Sequence, residues 1–184
     1  MKKNYFTLKK NKNSNIAFGF FTRNNGFSEG KFSSLNCSVS SGDDKKTIIK
    51  NINFAKKQLN LEKKKLKLIN QVHSNKVVII NNQNFNNQFQ ADGLISKNKN
   101  ICIGVLTADC CPIFIYDTAN TFVSCIHSGW KGSYLNIIQN ALKKIVKIQP
   151  NLDKVRAVIG PCLHKNNFEV DKNFITMFQK KESN

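Results

Sequence analysis

The chain has 184 residues, 40% hydrophobic and 22% charged, which fits one globular domain spanning 1–184 with a proper core and excludes a disordered chain. No apolar run approaches the roughly 18–20 residues of a membrane span. The basic start MKKNYFTLKKNKNSN lacks the apolar core of a secretory signal, so the expectation is a cytoplasmic protein with residues 1–15 as a basic tail. The net charge is +18, yet only Arg23 and Arg156 among the 29 basic residues are arginine.

Residues 16–23, IAFGFFTR, read as a strand. The glycine- and serine-rich stretch NNGFSEGKFSSLN reads as a long loop. Asp43 and Asp44 suit a helix N-terminus, and Ile48, Ile52, Ala55 and Leu59 follow at helical spacing with lysines on the solvated face. Leu66 and Leu68 alternate with lysines, and Val77 to Ile80 is a β-branched run. The Asn/Gln-rich residues 81–90 read as an exposed loop. Residues 101–107, 113–116 and 121–126 have high β propensity. Ser133 is placed to cap a second helix with the stripe Leu135, Ile138, Leu142, Ile145 and Ile148. Val155 to Ile159 reads as a strand ending in Gly160-Pro161-Cys162. Two helices and six or seven strands, grouped rather than alternating, predict an α+β fold.

The lysine-dominated charge reads as a solvated surface. Specific nucleic-acid readers lean on the bidentate fork of arginine, whereas Lys, Asn (27 residues) and Phe (14 residues) are what A/T-rich codons supply. No specific nucleic-acid partner and no membrane partner are expected, and weak non-specific anion binding at low salt follows from the charge alone. Six cysteines, at 37, 102, 110, 111, 125 and 162, contain no CxxC pair, which excludes a zinc ribbon and a thioredoxin-type motif.

Three reactive residues fall at strand ends, where rigid scaffolds present functional groups. His73 lies in NQVHSNK, Asp109 and Cys110 in LTADCCP, and His127 ends TFVSCIH before the turn SGWKG. Two imidazoles and one thiolate make a three-ligand zinc set with a fourth position open. The same residues also allow a metal-free Cys–His pair: Cys110 as thiolate, His127 as base and Asp109 or another acid as the orienter. The separations, 37 positions from His73 to Cys110 and 17 from Cys110 to His127, do not force these side chains together. Cys111 would point away from Cys110 on an extended backbone and reads as packing.

The blocks IAFGFFTRNNGFSEGKFSSLNCSVSSGDD, NQVHSNKV, ADGLIS, GVLTADCCPIFIYD, CIHSGWKGS and AVIGPCLHKNNFEV occur in this order over roughly residues 16–171. Together they resemble the YfiH family, formerly described as laccase-like polyphenol oxidases and now as purine nucleoside phosphorylases with adenosine deaminase activity. The resemblance implies an α/β/β/α sandwich with mixed β-sheets. It implies zinc, with copper a second choice, held by His73, Cys110 and His127, which would also be the catalytic set. It implies substrate contacts at Arg23, Asn36 and Lys131, with adenosine, inosine, guanosine or methylthioadenosine and phosphate as the small-molecule partners. Three histidines in all are too few for several copper centres.

The sequence also departs from the family pattern. Lys131 stands where the family usually has arginine. Asn24-Asn25-Gly26 replaces a double glycine, a change that asparagine's tolerance of positive φ accommodates. The family normally continues with a further helix and strand, so a missing C-terminal part and an exposed sheet edge that favours association are expected. Two other readings follow from the resemblance: an enzyme that edits peptidoglycan precursors, and a truncated, inactive metal-binding scaffold.

Overall fold

The computed structural model describes residues 5–7 and 16–182, so the basic tail expected over 1–15 lies outside the described residues except for residues 5–7. Alternation along β7 (Cys111–Asp117) sets the architecture. Ile113 and Ile115 face one side and Phe114 and Tyr116 the other, as an extended backbone dictates. β7 pairs antiparallel with β8 (Val123–Ser128) and with β9 (Val155–Ile159). Beyond β8 come β5 (Gly93–Ser96), antiparallel to it, and β4 (Val77–Ile80), parallel to β5. The sheet order is β4-β5-β8-β7-β9, which leaves β9 at an edge with Ile159 69% exposed.

One face of this sheet carries the main core. Val77, Ile95, Ile115, Phe122 and Ile126 pack with Ile137, Ala141 and Ile145 of helix α3 (Ile137–Ile145). The expected second helix is in fact two. Helix α2 (Trp130–Tyr134) ends in a break at Leu135 and Asn136, where Asn136 takes φ 62°, and α3 then starts afresh. The break rotates the buried stripe onto Ile137, Ala141 and Ile145, leaving Leu135 37% exposed. Ser133 does not cap; it sits inside α2 and shares a 2.8 Å hydrogen bond with the Ser128 hydroxyl.

The opposite face is covered by a two-stranded parallel sheet, β3 (Lys65–Lys67) with β6 (Ile101–Ile103). Ile80, Leu94 and Ile101 form a second core, with Phe85 and Phe89 packed on it. Lys67 is buried here, against the expectation of a solvated lysine. Its ammonium donates to the carbonyls of Phe85 (2.5 Å) and Asn87 (2.7 Å) and lies 5.5 Å from both the Phe85 and Phe89 rings. It thereby ties down the Asn-rich loop.

Residues 16–23 form much less strand than expected. Only β2 (Phe20–Phe21) pairs, with β1 (Tyr5–Phe6). The segment instead lies across the sheet through its rings, with the Phe18 and Phe20 ring centroids 5.3 and 4.7 Å from that of Phe114 in tilted contacts. Helix α1 (Lys45–Gln58) starts as expected, with the Asp44 carboxylate accepting from the Thr47 N–H at 2.8 Å. Its buried Asn51 anchors the preceding loop. The Asn51 amide accepts from the Phe27 N–H and donates to Ser28 Oγ and the Asn36 carbonyl, at 2.7–2.8 Å. Asn25 takes φ 64°, the positive φ that asparagine was expected to accommodate. Helix α4 (Lys172–Glu182), which periodicity did not reveal, packs on α2 through Trp130–Phe174 and Tyr134–Phe178 ring contacts at 5.2 and 5.0 Å. The chain is an α+β protein, as expected, and its five-stranded sheet is mixed, with β4 and β5 parallel and the other pairs antiparallel. No helix among the described residues is long and apolar enough to cross a membrane.

Candidate metal centre

The fold converges three distant side chains. His73, Cys110 and His127 place one ligand atom each within 4.8 Å of one another. Cys110 Sγ lies 3.7 Å from His73 Nε2, and the two imidazoles meet edge to face at 4.8 Å between centroids. His127 is buried on β8, Cys110 is half-buried just before β7, and His73 is exposed in the loop before β4. The cluster is thus anchored in the core on one side and open to solvent on the other.

Asp92 organises the cluster, and sequence reasoning gave it no role. Its side chain is fully buried immediately before β5. Oδ1 accepts from His127 Nδ1 at 2.8 Å and from the His73 backbone N–H at 3.0 Å. Oδ2 accepts from the Ser74 N–H at 2.6 Å, the Ser74 hydroxyl at 2.7 Å and the Val72 N–H at 3.3 Å. Burial pushes this carboxyl up, but the hydrogen bonds from His127, Ser74 and Val72 together outweigh it and hold it below the usual range. An ionised Asp92 fixes the proton of His127 on Nδ1 and leaves the Nε2 lone pair for a cation. The same carboxylate holds His73 at φ 56°, in the left-handed region that costs a non-glycine residue energy. An aspartate heading the buried strand GLIS was the available signal; four residues with a glycine and a serine do not read as a central strand.

Further clasps fix the loop that carries His73. The Gln71 amide donates to the Leu106 carbonyl at 2.7 Å and accepts from the Leu106 N–H at 2.8 Å, tying this loop to the approach of Cys110. Asn75 donates to the Leu135 carbonyl at 2.8 Å. Gly129 supplies room: a Cβ there would stand 2.9 Å from His73 Cδ2 and 3.0 Å from Cys110 Sγ. Only a residue without a side chain lets α2 start this close to two ligands.

A divalent cation fits this donor set. Two imidazoles and a thiolate suit zinc, copper or another borderline-soft ion, and three protein ligands leave a coordination position open. The environment does not suit a metal-free Cys–His nucleophile. Burial, and then the Asp109 and Asp92 carboxylates, push the Cys110 thiol up rather than down, whereas an activated thiol needs a depressed pKa. The acid that orients the His127 ring is Asp92, and the Cys110 sulfur is in hydrogen-bonding contact with His73.

Arg23, Asn36 and Lys131, expected to contact substrate, are not members of the His–Cys–His group. Arg23 is exposed at the start of the long loop, and its carbonyl accepts from the Ser34 and Leu35 N–H groups at 3.0 and 2.8 Å. The Asn36 side chain is engaged within that loop, donating to Ser41 Oγ and Asp43 at 2.8 and 3.0 Å and accepting from the Ser38 N–H at 3.0 Å. Lys131 is exposed on α2, next to Trp130, which is itself 42% exposed.

Comparison with known proteins adds to this geometry. Residues 17–184 match the family described as multi-copper polyphenol oxidoreductase laccase. A protein of Bacteroides thetaiotaomicron named purine nucleoside phosphorylase is 29% identical over 176 residues, 91% of this chain and 65% of that protein. The crystal structure of a Neisseria meningitidis protein superposes with TM-score 0.81 at 26% identity, covering 98% of this chain and 72% of that one. The crystal structure of Bacillus licheniformis hypothetical protein YfiH does so with TM-score 0.80 at 27% identity, covering 88% of this chain and 64% of that one. The chain spans about half to two thirds of the length of the first curated relatives it matches.

Proposed function

This chain belongs to the YfiH family, described as multi-copper polyphenol oxidoreductase laccase, and on that premise we propose that it is a zinc-dependent purine nucleoside phosphorylase that also deaminates adenosine. One observation carries the reading: an open His–Cys–His cluster in a chain whose curated relatives bear the name purine nucleoside phosphorylase. Copper oxidase chemistry of the multi-centre kind would need more imidazoles than the three histidines of this sequence provide. When bound, zinc supplies Lewis acidity at one open coordination position.

The chain's own residues do the rest. His127 and His73 present their rings from fixed positions because Asp92 grips one by its Nδ1–H and the other by its backbone. In phosphorolysis a phosphate oxygen forms a bond to the ribose anomeric carbon while the bond to the purine nitrogen breaks. The base leaves with that electron pair and takes up a proton, and the products are ribose 1-phosphate and the free purine. Exposed Arg23 and Lys131 are the cationic groups assigned to phosphate; Lys131 offers charge without arginine's bidentate fork. Asn36 is assigned a polar contact to substrate, from a side chain fixed by Ser38, Ser41 and Asp43. In deamination, water adds at the purine carbon bearing the amino group, and ammonia leaves. Localisation in the cytoplasm belongs to the same reading.

The test is incubation of the purified chain with inosine and phosphate, and separately with adenosine and phosphate, in the presence of zinc. Hypoxanthine and ribose 1-phosphate from the first, and adenine or inosine from the second, are expected. Their formation should fall at least about 100-fold on removal of the metal by a chelator and return on its restoration. Turnover that persists unchanged after chelation contradicts the zinc mechanism. Stoichiometric zinc binding without turnover of either nucleoside contradicts the assigned substrates.

A further inference from the structure

Two chain segments run side by side into the metal centre. Residues 67–74 leave β3 and carry His73, and residues 85–92 leave the Asn-rich loop and carry Asp92. They are joined at three levels. Next to the ligands, the Asp92 carboxylate accepts from the Val72, His73 and Ser74 N–H groups. In the middle, Asn70 N–H donates to the Phe89 carbonyl and Ala91 N–H to the Asn70 carbonyl, each at 3.1 Å, and Asn70 and Gln90 form a parallel bridge. At the far end the join is a side chain. The Lys67 ammonium is held by the Phe85 and Asn87 carbonyls and lies against the Phe85 and Phe89 rings.

These levels fix one register. A slip of one residue between paired segments turns their groups to the opposite side, so Asp92 would lose the donors of residues 72–74. Backbone hydrogen bonds of the middle level can form at other offsets. The lysine clasp cannot, because both of its halves are anchored. Phe85 and Phe89 pack on Ile80, Leu94 and Ile101. Lys67 pairs with Ile103 of β6, and its carbonyl accepts from Gly104 N–H at 3.1 Å. An ammonium buried at this position stays satisfied only while these carbonyls and rings surround it.

We propose that Lys67 is a positioning residue for the metal centre. Its ammonium sets the register of residues 85–92 against residues 67–74 and so holds the Asp92 carboxylate against the His73 loop and the His127 ring. Lys67 acts through this clasp and not by contact with a ligand. The inference rests on His73, Cys110 and His127 holding a cation and is independent of the nucleoside chemistry.

Lys67→Met keeps an unbranched apolar stem and removes the donors. Two readouts test it: hydrogen exchange of single amides by NMR in the metal-free protein, and zinc affinity by competition with a chelator. Exchange at the Val72, His73 and Ser74 amides should rise about 3- to 30-fold while the amides of α3 keep the parent's rates. Zinc affinity should fall by a similar factor, the size of effect that a residue outside a site exerts through packed and hydrogen-bonded neighbours. Parent rates at residues 72–74 overturn the proposal. So does acceleration spread evenly over α3 and β8, the mark of a general loss of stability. Phe89→Leu, which removes one ring from the ammonium and keeps an apolar side chain in the second core, should accelerate the same three amides by a smaller factor. If Lys67→Met does not fold, parent rates at these amides in Phe89→Leu overturn the proposal. A parent protein that binds no zinc refutes the metal centre, and the exchange rates then decide the clasp by themselves.

Discussion

Replacing Cys110 by alanine lowers zinc affinity by more than about 100-fold, beyond the range usual for loss of an outer partner of a metal site. The thiolate is the one anionic ligand among the three, so its removal takes away both a bond and the charge that offsets the cation. Folding of the metal-free protein should be little affected. The Cys110 sulfur is half-buried and contacts the exposed His73 ring at 3.7 Å rather than filling a core. Competition titration against a chromophoric chelator measures the affinity, and thermal unfolding of the chelated protein measures the fold. A variant that binds zinc as tightly as the parent would remove Cys110 from the ligand set.

Asp92→Asn should cost about 10–100-fold in zinc affinity although Asp92 itself is not a ligand. Oδ1 accepts from His73 N–H and His127 Nδ1, and Oδ2 accepts from Ser74 N–H, Ser74 Oγ and Val72 N–H. An amide NH2 on either side therefore meets a backbone donor and leaves two N–H groups facing each other. Placed toward His127, it also favours the tautomer with the proton on Nε2, which has no lone pair for a cation. The unsatisfied buried donors add a stability cost of about 1–3 kcal/mol in the metal-free protein. Chelator competition and unfolding of the same two samples separate these effects. An asparagine variant with the parent's affinity and stability would show that the carboxylate does not position the imidazoles.

Local patterning made some of this structure legible and left other parts hidden. Helix α1 was readable because its cap, Asp44, and its apolar spacing agree. Strands β4 and β9 were readable because their β-branched runs end at clear breakers. Strand β5 was not, because its four residues are buried on both faces and lack alternation. The α2–α3 break was hidden because it hinges on the left-handed conformation of Asn136, which no apolar period reports. Lys67 is buried because two carbonyls and two rings from a loop far along the chain surround its ammonium; such partners are invisible to alternation. The ligands themselves emerged as strand-end residues, and the resemblance made them a set. What separations of 37 and 17 positions could not convey was the agent of convergence. That agent is Asp92, whose one carboxylate binds the loop of His73 and the ring of His127 together.

X-ray absorption at the zinc edge of the protein loaded with one equivalent of zinc tests this arrangement most directly. One sulfur scatterer at about 2.3 Å and two imidazole nitrogens at about 2.0–2.1 Å, with a light atom completing the shell, are expected. A shell made only of nitrogen and oxygen, or one with two or more sulfurs, would contradict it.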